Sequence, residues 1–361
     1  MIRFLHAADL HLDAAFRSLP PEQAKQRRAE QRALLQELAA RCNEEDCDLL
    51  FLSGDLFDSD CVYRETIEAL TRALAACRAQ VFIAPGNHDV YVPGCPYQTA
   101  VWPENVHIFR NAAIEAFPLP ALGATVYGAA FTAAQMPSLL EGFRVTDPQR
   151  ANFMVLHGDV AQPDSRYDPI SLEQIAASGL QYLALGHVHR RSAPAVAGKT
   201  VYAYPGCTMG RGFDELGEKG VLLGTWDGAR CGLRFVPLSG RKYEILEVPA
   251  GDDALAAVLA VLPARTAQDC YRIVLTGESD PIDTQALYDA LRSRFFSLSV
   301  IDRTTEKRAL WADAECDTLR GLFLRACRQA MEQAGDDASR ETVELAARIT
   351  TALMDGREVP L

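Results

Sequence analysis

No run of eighteen apolar residues occurs anywhere in the 361-residue chain, which excludes a membrane-spanning helix. Excess positive charge is missing too: 36 Lys and Arg stand against 48 Asp and Glu, a net −12. The deficit is even, with −6 in residues 1–240 and −6 in 241–361, so neither part is a basic arm. A surface that holds duplex DNA by bulk charge is basic. A nucleic-acid substrate would therefore have to be met by a local patch, metal ions or a partner. The ten cysteines include no Cys-x-x-Cys pair. Cys42, Cys61, Cys77, Cys207, Cys270 and Cys327 lie in mixed or apolar stretches, as reduced, buried thiols do. Met1–Leu5 is too short for a signal peptide. Internal repeats and low-complexity stretches are also lacking. What is present is globular: 48% hydrophobic and 23% charged residues, against disorder or a fibrous class. The expectation is a cytoplasmic protein without membrane contact.

Apolar periodicity supplies the elements. Buried strands are expected at Ile2–Ala8, Cys47–Ser53 and Gln80–Ala84, with helices at Pro21–Glu45 and Tyr63–Arg78 between them. Further strands follow at Ala124–Ala129, Phe153–Leu156 and Tyr182–Leu185. From Thr200 the helices stop, and Thr200–Tyr204, Gly220–Trp226, Leu233–Leu238 and Glu244–Val248 read as consecutive strands. Residues 252–301 form a small βα unit of their own. After Arg308 the pattern is helical, over Asp313–Gln333 and Ser339–Met354. The class is α/β, layered rather than simply doubly wound.

Five short polar stretches close predicted strands, where open α/β sheets place their ligands. They are Asp9-Leu10-His11, Gly54-Asp55, Gly86-Asn87-His88-Asp89, His157-Gly158-Asp159 and Gly186-His187-Val188-His189. Of the seven histidines, five lie in these stretches; His6 and His107 do not. Singly each is an ordinary turn; together they offer only imidazole, carboxylate and amide donors. Without a thiolate, that set suits Mn²⁺, Fe²⁺ or Zn²⁺ in an open catalytic site rather than a structural zinc knot. There are too many donors for one ion. Seven candidates with one bridging carboxylate fill two ions about 3.5–4 Å apart.

This pattern resembles the calcineurin-like metallophosphoesterases, whose five blocks are all present within about residues 1–240. Phe4–Leu12 and Gly54-Asp55-Leu56-Phe57-Asp58 are more narrowly similar to the SbcD-type DNA repair exonucleases. Tyr204-Pro205-Gly206-Cys207-Thr208, through Gly210-Arg211-Gly212 to Glu215, resembles a shorter bacterial branch, the YhaO-like proteins. The resemblance implies a four-layer sandwich, two mixed β-sheets flanked by helices, over residues 1–245. It implies a small α/β cap over 246–310 and a C-terminal helical hairpin over 311–361. It implies one metal on Asp9, His11, Asp55 and His189, and a second on Asp55, Asn87, His157 and His187. The ions would be Mn²⁺ first, with Fe²⁺ or Zn²⁺ as alternatives. His88 would be the general acid, oriented by Asp58. Relatives of SbcD in archaea and eukaryotes carry a histidine at the Asp58 position, so this chain lacks their second catalytic histidine.

The function implied is a two-metal DNA nuclease in which hydroxide attacks phosphorus in line and His88 protonates the leaving alkoxide. The partner implied is an SbcC/YhaN-like coiled-coil ATPase, held by the C-terminal helices; a homodimer stays open. A small-molecule phosphodiesterase or phosphatase is the alternative, favoured by the acidic charge. A binding subunit with a relic site is disfavoured by the complete donor set. Among the extras, His6 reads as a core or supporting histidine and His107 as structural. Arg64 and Arg211 read as solvated. In the hairpin, Leu319, Leu322, Phe323 and Ala326 form one apolar stripe, and Val343, Ala346, Ala347, Ile349 and Leu353 a second. Leu324 is expected on the exposed flank.

Overall fold

Apolar residues alternate along the first strands with both faces filled, the pattern of strands buried on two sides. The computed structural model describes residues 1–59, 62–306 and 310–356. Cys61 lies outside them. The strands are β1 (Ile2–Ala7), β2 (Leu49–Leu52), β3 (Gln80–Ile83), β4 (Val106–Ile108), β5 (Glu115–Leu119), β6 (Ala124–Gly128) and β7 (Ala151–His157). A short pair, β8 (Asp159–Val160) and β9 (Pro169–Ile170), precedes β10 (Tyr182–Gly186), β11 (Ala195–Ala197), β12 (Thr200–Ala203), β13 (Gly220–Trp226) and β14 (Cys231–Pro237). They build two mixed six-stranded sheets, ordered β14-β13-β1-β2-β3-β4 and β11-β12-β10-β7-β6-β5. In the first, β1 to β4 are parallel and β13 and β14 antiparallel. In the second, β12, β10, β7 and β6 are parallel.

Period-two alternation sends Phe4, Phe51 and Phe82 to one face of the first sheet, where they meet Val126, Phe153 and Tyr182 of the second. The Phe4 and Tyr182 ring centroids lie 4.7 Å apart. Burying one such ring is worth roughly 1.5–3 kcal/mol. Leu5, Leu50 and Leu52 point the other way, onto Leu35 and Leu38 of α1 (Pro21–Glu44) and Leu70 and Leu74 of α2 (Arg64–Ala76). A one-turn α3 (Pro96–Thr99) follows β3. Ile175 of α4 (Leu172–Ser178) packs with Leu156, Leu183 and Leu185 on the outer face of the second sheet. The layers are thus helix, sheet, sheet, helix, as expected. In these two sheets three strands went unread in the sequence, and all three are edges: β4, β5 and β11. β4 and β11 have only three residues each, and β5 carries Pro118, which an edge tolerates.

The chain divides into two compact units, residues 1–246 with 263–272 and 288–299, and residues 247–262 with 273–287 and 300–361. The later elements are β15 (Tyr243–Pro249), α5 (Ala254–Val261), β16 (Cys270–Thr276), β17 (Glu278–Ser279), α6 (Thr284–Leu291), β18 (Ser297–Asp302) and β19 (Thr305–Glu306). β15, β16 and β18 form a three-stranded sheet.

The helical tail starts later than its periodicity suggests. Thr318 accepts from Gly321 N and opens α7 (Leu319–Gln333), while Ala312–Glu315 is a separate 3₁₀ turn. Asp336 caps α8 (Asp337–Met354) in the same way. The buried face also differs. Leu324 is fully buried with Cys327 and Ala347, and Phe323 and Val343 pack against them. Leu319, Leu322, Ala326, Ala346 and Leu353 are exposed. Gly321 explains the turn: its Cα faces Cys316 O so closely that a Cβ would meet it at 2.0 Å. The face that approaches is the one bearing Gly321, Leu324 and Cys327.

Candidate metal centre

All five polar stretches leave the carboxyl ends of β1, β2, β3, β7 and β10 and meet. Two glycines let the two sheets close around them. A Cβ on Gly186 would sit 1.7 Å from Ser53 O, and one on Gly54, at φ +81°, 2.4 Å from the His157 ring. Backbone strain is concentrated here. Asp9, His11, Asp55 and His187 have φ of +52°, +43°, +51° and +103°, unusual for residues with side chains.

One ligand atom each from Asp9, His11, Asp55 and His189 lie within 4.8 Å of one another. His11 Nε2 is 3.0 Å from His189 Nε2 and 3.7 Å from Asp55 Oδ2. On the other side of Asp55, His157 Nε2 lies 3.4 Å from the same Oδ2. Asn87 Oδ1 is 2.9 Å from His157 Nε2 and 3.0 Å from His187 Nδ1, and those two nitrogens are 3.3 Å apart. The seven sequence-derived donors therefore converge as two sets, with Asp55 common to both.

The outward nitrogens show which atoms face inward as lone pairs. His157 Nδ1 donates to the Ser53 carbonyl at 3.0 Å, and a carbonyl can only accept. His11 Nδ1 donates to Asp58 Oδ1 at 3.1 Å, and His189 Nδ1 to Glu215 Oε1 at 2.7 Å. His187 Nε2 lies 3.4 Å from Asp159 Oδ2. These contacts leave Nε2 of His11, His157 and His189 and Nδ1 of His187 facing inward, where a divalent cation can replace any proton they carry. The inward nitrogens pair off at 3.0 Å (His11 with His189) and 3.3 Å (His157 with His187). The ionisation pattern shows a site built around positive charge. Burial lowers His157, but the Asp55 and Asp9 carboxylates outweigh it and lift the ring to about 10. Burial would raise Asp55, yet His157 beside it holds it below the usual carboxylate range. Burial pushes Asp9 up to about 6 and His11 down to about 4. The pocket draws in positive charge, and two divalent cations fit its donors.

A family model for calcineurin-like phosphoesterases matches residues 2–191, more than half of the chain. The chain belongs to this family. The segment that matches this phosphoesterase family contains all seven donors. It is 32% identical over 234 residues to the metallophosphoesterase YhaO of Bacillus subtilis, covering 62% of this chain. The match spans 57% of that relative's length. Among solved structures it is similar to a dimetal phosphatase from Danio rerio (11% identity, 65% of this chain and 95% of that one, TM-score 0.42). A purple acid phosphatase from yellow lupin, Lupinus luteus, is similar at 15% identity, 67% and 51% coverage and TM-score 0.41.

Other residues of this phosphoesterase depart from expectation. Asp58 Oδ1 bonds to His11 and to Arg211 Nη1 at 2.9 Å, rather than to His88. The buried His11 needs an acceptor for Nδ1–H, and Arg211 draws the carboxylate the same way. His88 is exposed, with its ring edge-on to His11 at 4.9 Å, and its nitrogen is within 4.8 Å of Asp58. Arg211 is held among carboxylates, not solvated, whereas Arg64 is exposed and pairs with Glu68. His6 is a buried core histidine between Tyr182 and Ser53 hydroxyls, and His107 packs against Phe117 at a tilt of 41° and bonds to Gln80.

Three acids were not assigned from sequence. Asp89 accepts from Gly86 N, Leu56 N, Phe57 N and Tyr97 OH, tying the Asn87 turn to the Asp55 loop. Its signal was its place in Gly86-Asn87-His88-Asp89. Asp159 lies two residues after His157 and was visible only as part of that block. Glu215 closed the YhaO-like stretch but was given no role. Among the described residues no helix is long and apolar enough to cross a membrane.

Proposed function

We propose that the protein is a metal-dependent phosphodiesterase that hydrolyses DNA phosphodiester bonds, an SbcD-type exonuclease working with a coiled-coil ATPase. The carrying observation is the pair of donor sets that share Asp55. Two divalent cations, Mn²⁺ first for these nitrogen and oxygen donors, would supply Lewis acidity and offset charge on the phosphoryl oxygens. The chain's own groups do the rest. Asp55 ties the two sets together, and Asp58, Glu215, Asp159 and the Ser53 carbonyl fix the rings. His88, exposed beside His11, gives its proton to the departing alkoxide. Asp58 acts on His11, not on the acid. Asp9 and Asp55 offset two of four metal charges, which leaves a site matched to an anionic diester.

The SbcD-like stretches around Asp9 and Asp55 support DNA as the substrate, and residues 246–310 are of a size to cap it. The net −12 supports dependence on a partner for holding DNA. Leu319, Leu322, Leu345 and Leu353 are exposed on α7 and α8 and suit a coiled-coil partner. The nine described cysteines are all free thiols, which suits the cytoplasm. The same acidity favours a second reading, a small-molecule phosphodiesterase. The deciding experiment offers the Mn²⁺-loaded protein end-labelled linear duplex, closed circular duplex, a cyclic nucleotide and bis-nitrophenyl phosphate, with and without the ATPase. Preferential, ATPase-stimulated shortening of linear duplex is expected. Hydrolysis of the cyclic nucleotide with inert DNA under both conditions would overturn the nuclease reading.

A further inference from the structure

Arg211 and Glu215 lie beyond the segment matched by the family model, yet they touch the donor shell of one metal set and not the other. The Arg211 guanidinium donates through Nη1 to Asp58 Oδ1 and through Nη2 to Glu215 Oε1, both at 2.9 Å. Its backbone N–H donates to Glu215 Oε2 at 2.7 Å. The same two acceptor atoms, Asp58 Oδ1 and Glu215 Oε1, receive the Nδ1–H groups of His11 and His189. One guanidinium thus joins two carboxylates, each carboxylate joins one imidazole, and the far nitrogens of the imidazoles come to 3.0 Å of each other.

The frame around this chain of contacts is buried and fixed. Glu215 is 5% exposed. Arg27, fully buried, donates to Gly210 O at 2.8 Å and pins the backbone just before Arg211. Gln31 of the same helix donates to His11 O at 2.9 Å. The other donor set uses different outward partners, the Ser53 carbonyl for His157 and Asp159 for His187.

We propose that Arg211, Glu215 and Asp58 form a clamp that positions His11 and His189 as a pair, setting the affinity of one cation of the two. An imidazole can swing about its Cβ–Cγ bond, and a carboxylate behind it limits that swing. Here the two carboxylates are themselves held at a fixed separation by a planar fork, so the rings cannot turn independently. The proposal rests on the two-cation reading of the site.

The test uses the full-length protein and Mn²⁺ alone, with ion stoichiometry and affinities measured by calorimetry and elemental analysis, and folding checked by melting. Wild type should take up two ions. Glu215→Ala and Arg211→Gln should each weaken one ion by ~10–100-fold and leave the other unchanged. Asp159→Ala should do the reverse, weakening the ion that Glu215→Ala spares. Arg211→Lys should recover only part of the loss, because an ammonium cannot hold two carboxylates in one plane. If Glu215→Ala fails to fold, Glu215→Gln keeps the acceptor for His189 and should show a smaller loss at the same ion. Two ions in wild type, with folded variants that bind both normally or weaken both equally, would overturn the clamp alone. Fewer than two ions in wild type overturns the two-cation reading and the clamp with it.

Discussion

The strand-end pocket and the α7–α8 hairpin differ in how completely their side chains are committed. In the pocket both nitrogens of His11, His157, His187 and His189 face a donor, a carboxylate or a carbonyl. In the hairpin, Leu319, Leu322, Leu345 and Leu353 are 77, 55, 58 and 63% exposed while Leu324 is fully buried. Polar chemistry is directional, so a displaced group in the pocket loses a specific partner. Apolar packing is not, so a helix can present either of two neighbouring stripes at small cost.

The sharpest way to break this comparison is at the shared carboxylate. Asp55→Ala should lower hydrolysis of bis-nitrophenyl phosphate by at least ~10³-fold, with fewer than two ions retained on elemental analysis. Next comes the acid. His88→Asn should keep both ions and lose ~10²–10⁴-fold on DNA, but far less on nitrophenyl esters, whose leaving group needs no proton. Equal losses on both substrates would take the acid role from His88. In the hairpin the scale falls to packing. Leu324→Ala should destabilise its unit by about 2–5 kcal/mol in denaturant titration. Burial holds His6 down to about 3 from 6.5, so between those values the unfolded chain binds the extra proton and stability rises with pH. The melting temperature of chelated protein should climb across that window, and His6→Gln should flatten the climb. The smallest effect belongs to the exposed face: Leu322→Ser should change stability by no more than about 0.5 kcal/mol. A large loss there would erase the contrast.

Legibility in the sequence follows the same divide. β1, β2 and β3 were readable because their cores are nearly unbroken apolar runs, and the donors because each closes such a run. Asp58 was placed correctly in the chain but given the wrong partner. Its bond to His11 depends on Arg211, 153 residues away, which no local pattern reveals. Glu215 was quoted in the YhaO-like stretch, but its bond to His189 is equally invisible locally. The edge strands β4 and β11, of three residues each, were too short to show a period, and β5 is interrupted by Pro118. Gly321 was the clue to the buried face of α7, and its significance emerges only beside Cys316 O.

Asp9, His11, Asp55 and Asn87 hang from β1, β2 and β3, while His157, His187 and His189 hang from β7 and β10. Neither sheet owns a full coordination set, and the two backbones touch where Gly186 passes Ser53. Cation uptake is therefore thermodynamically linked to the docking of one sheet on the other. An ion present at a hundred times its dissociation constant adds about 2.7 kcal/mol to that docking. Amide hydrogen exchange at Phe51 and Val155, on opposite sheets, should then slow in step as metal is added. The reaction centre doubles as a rivet.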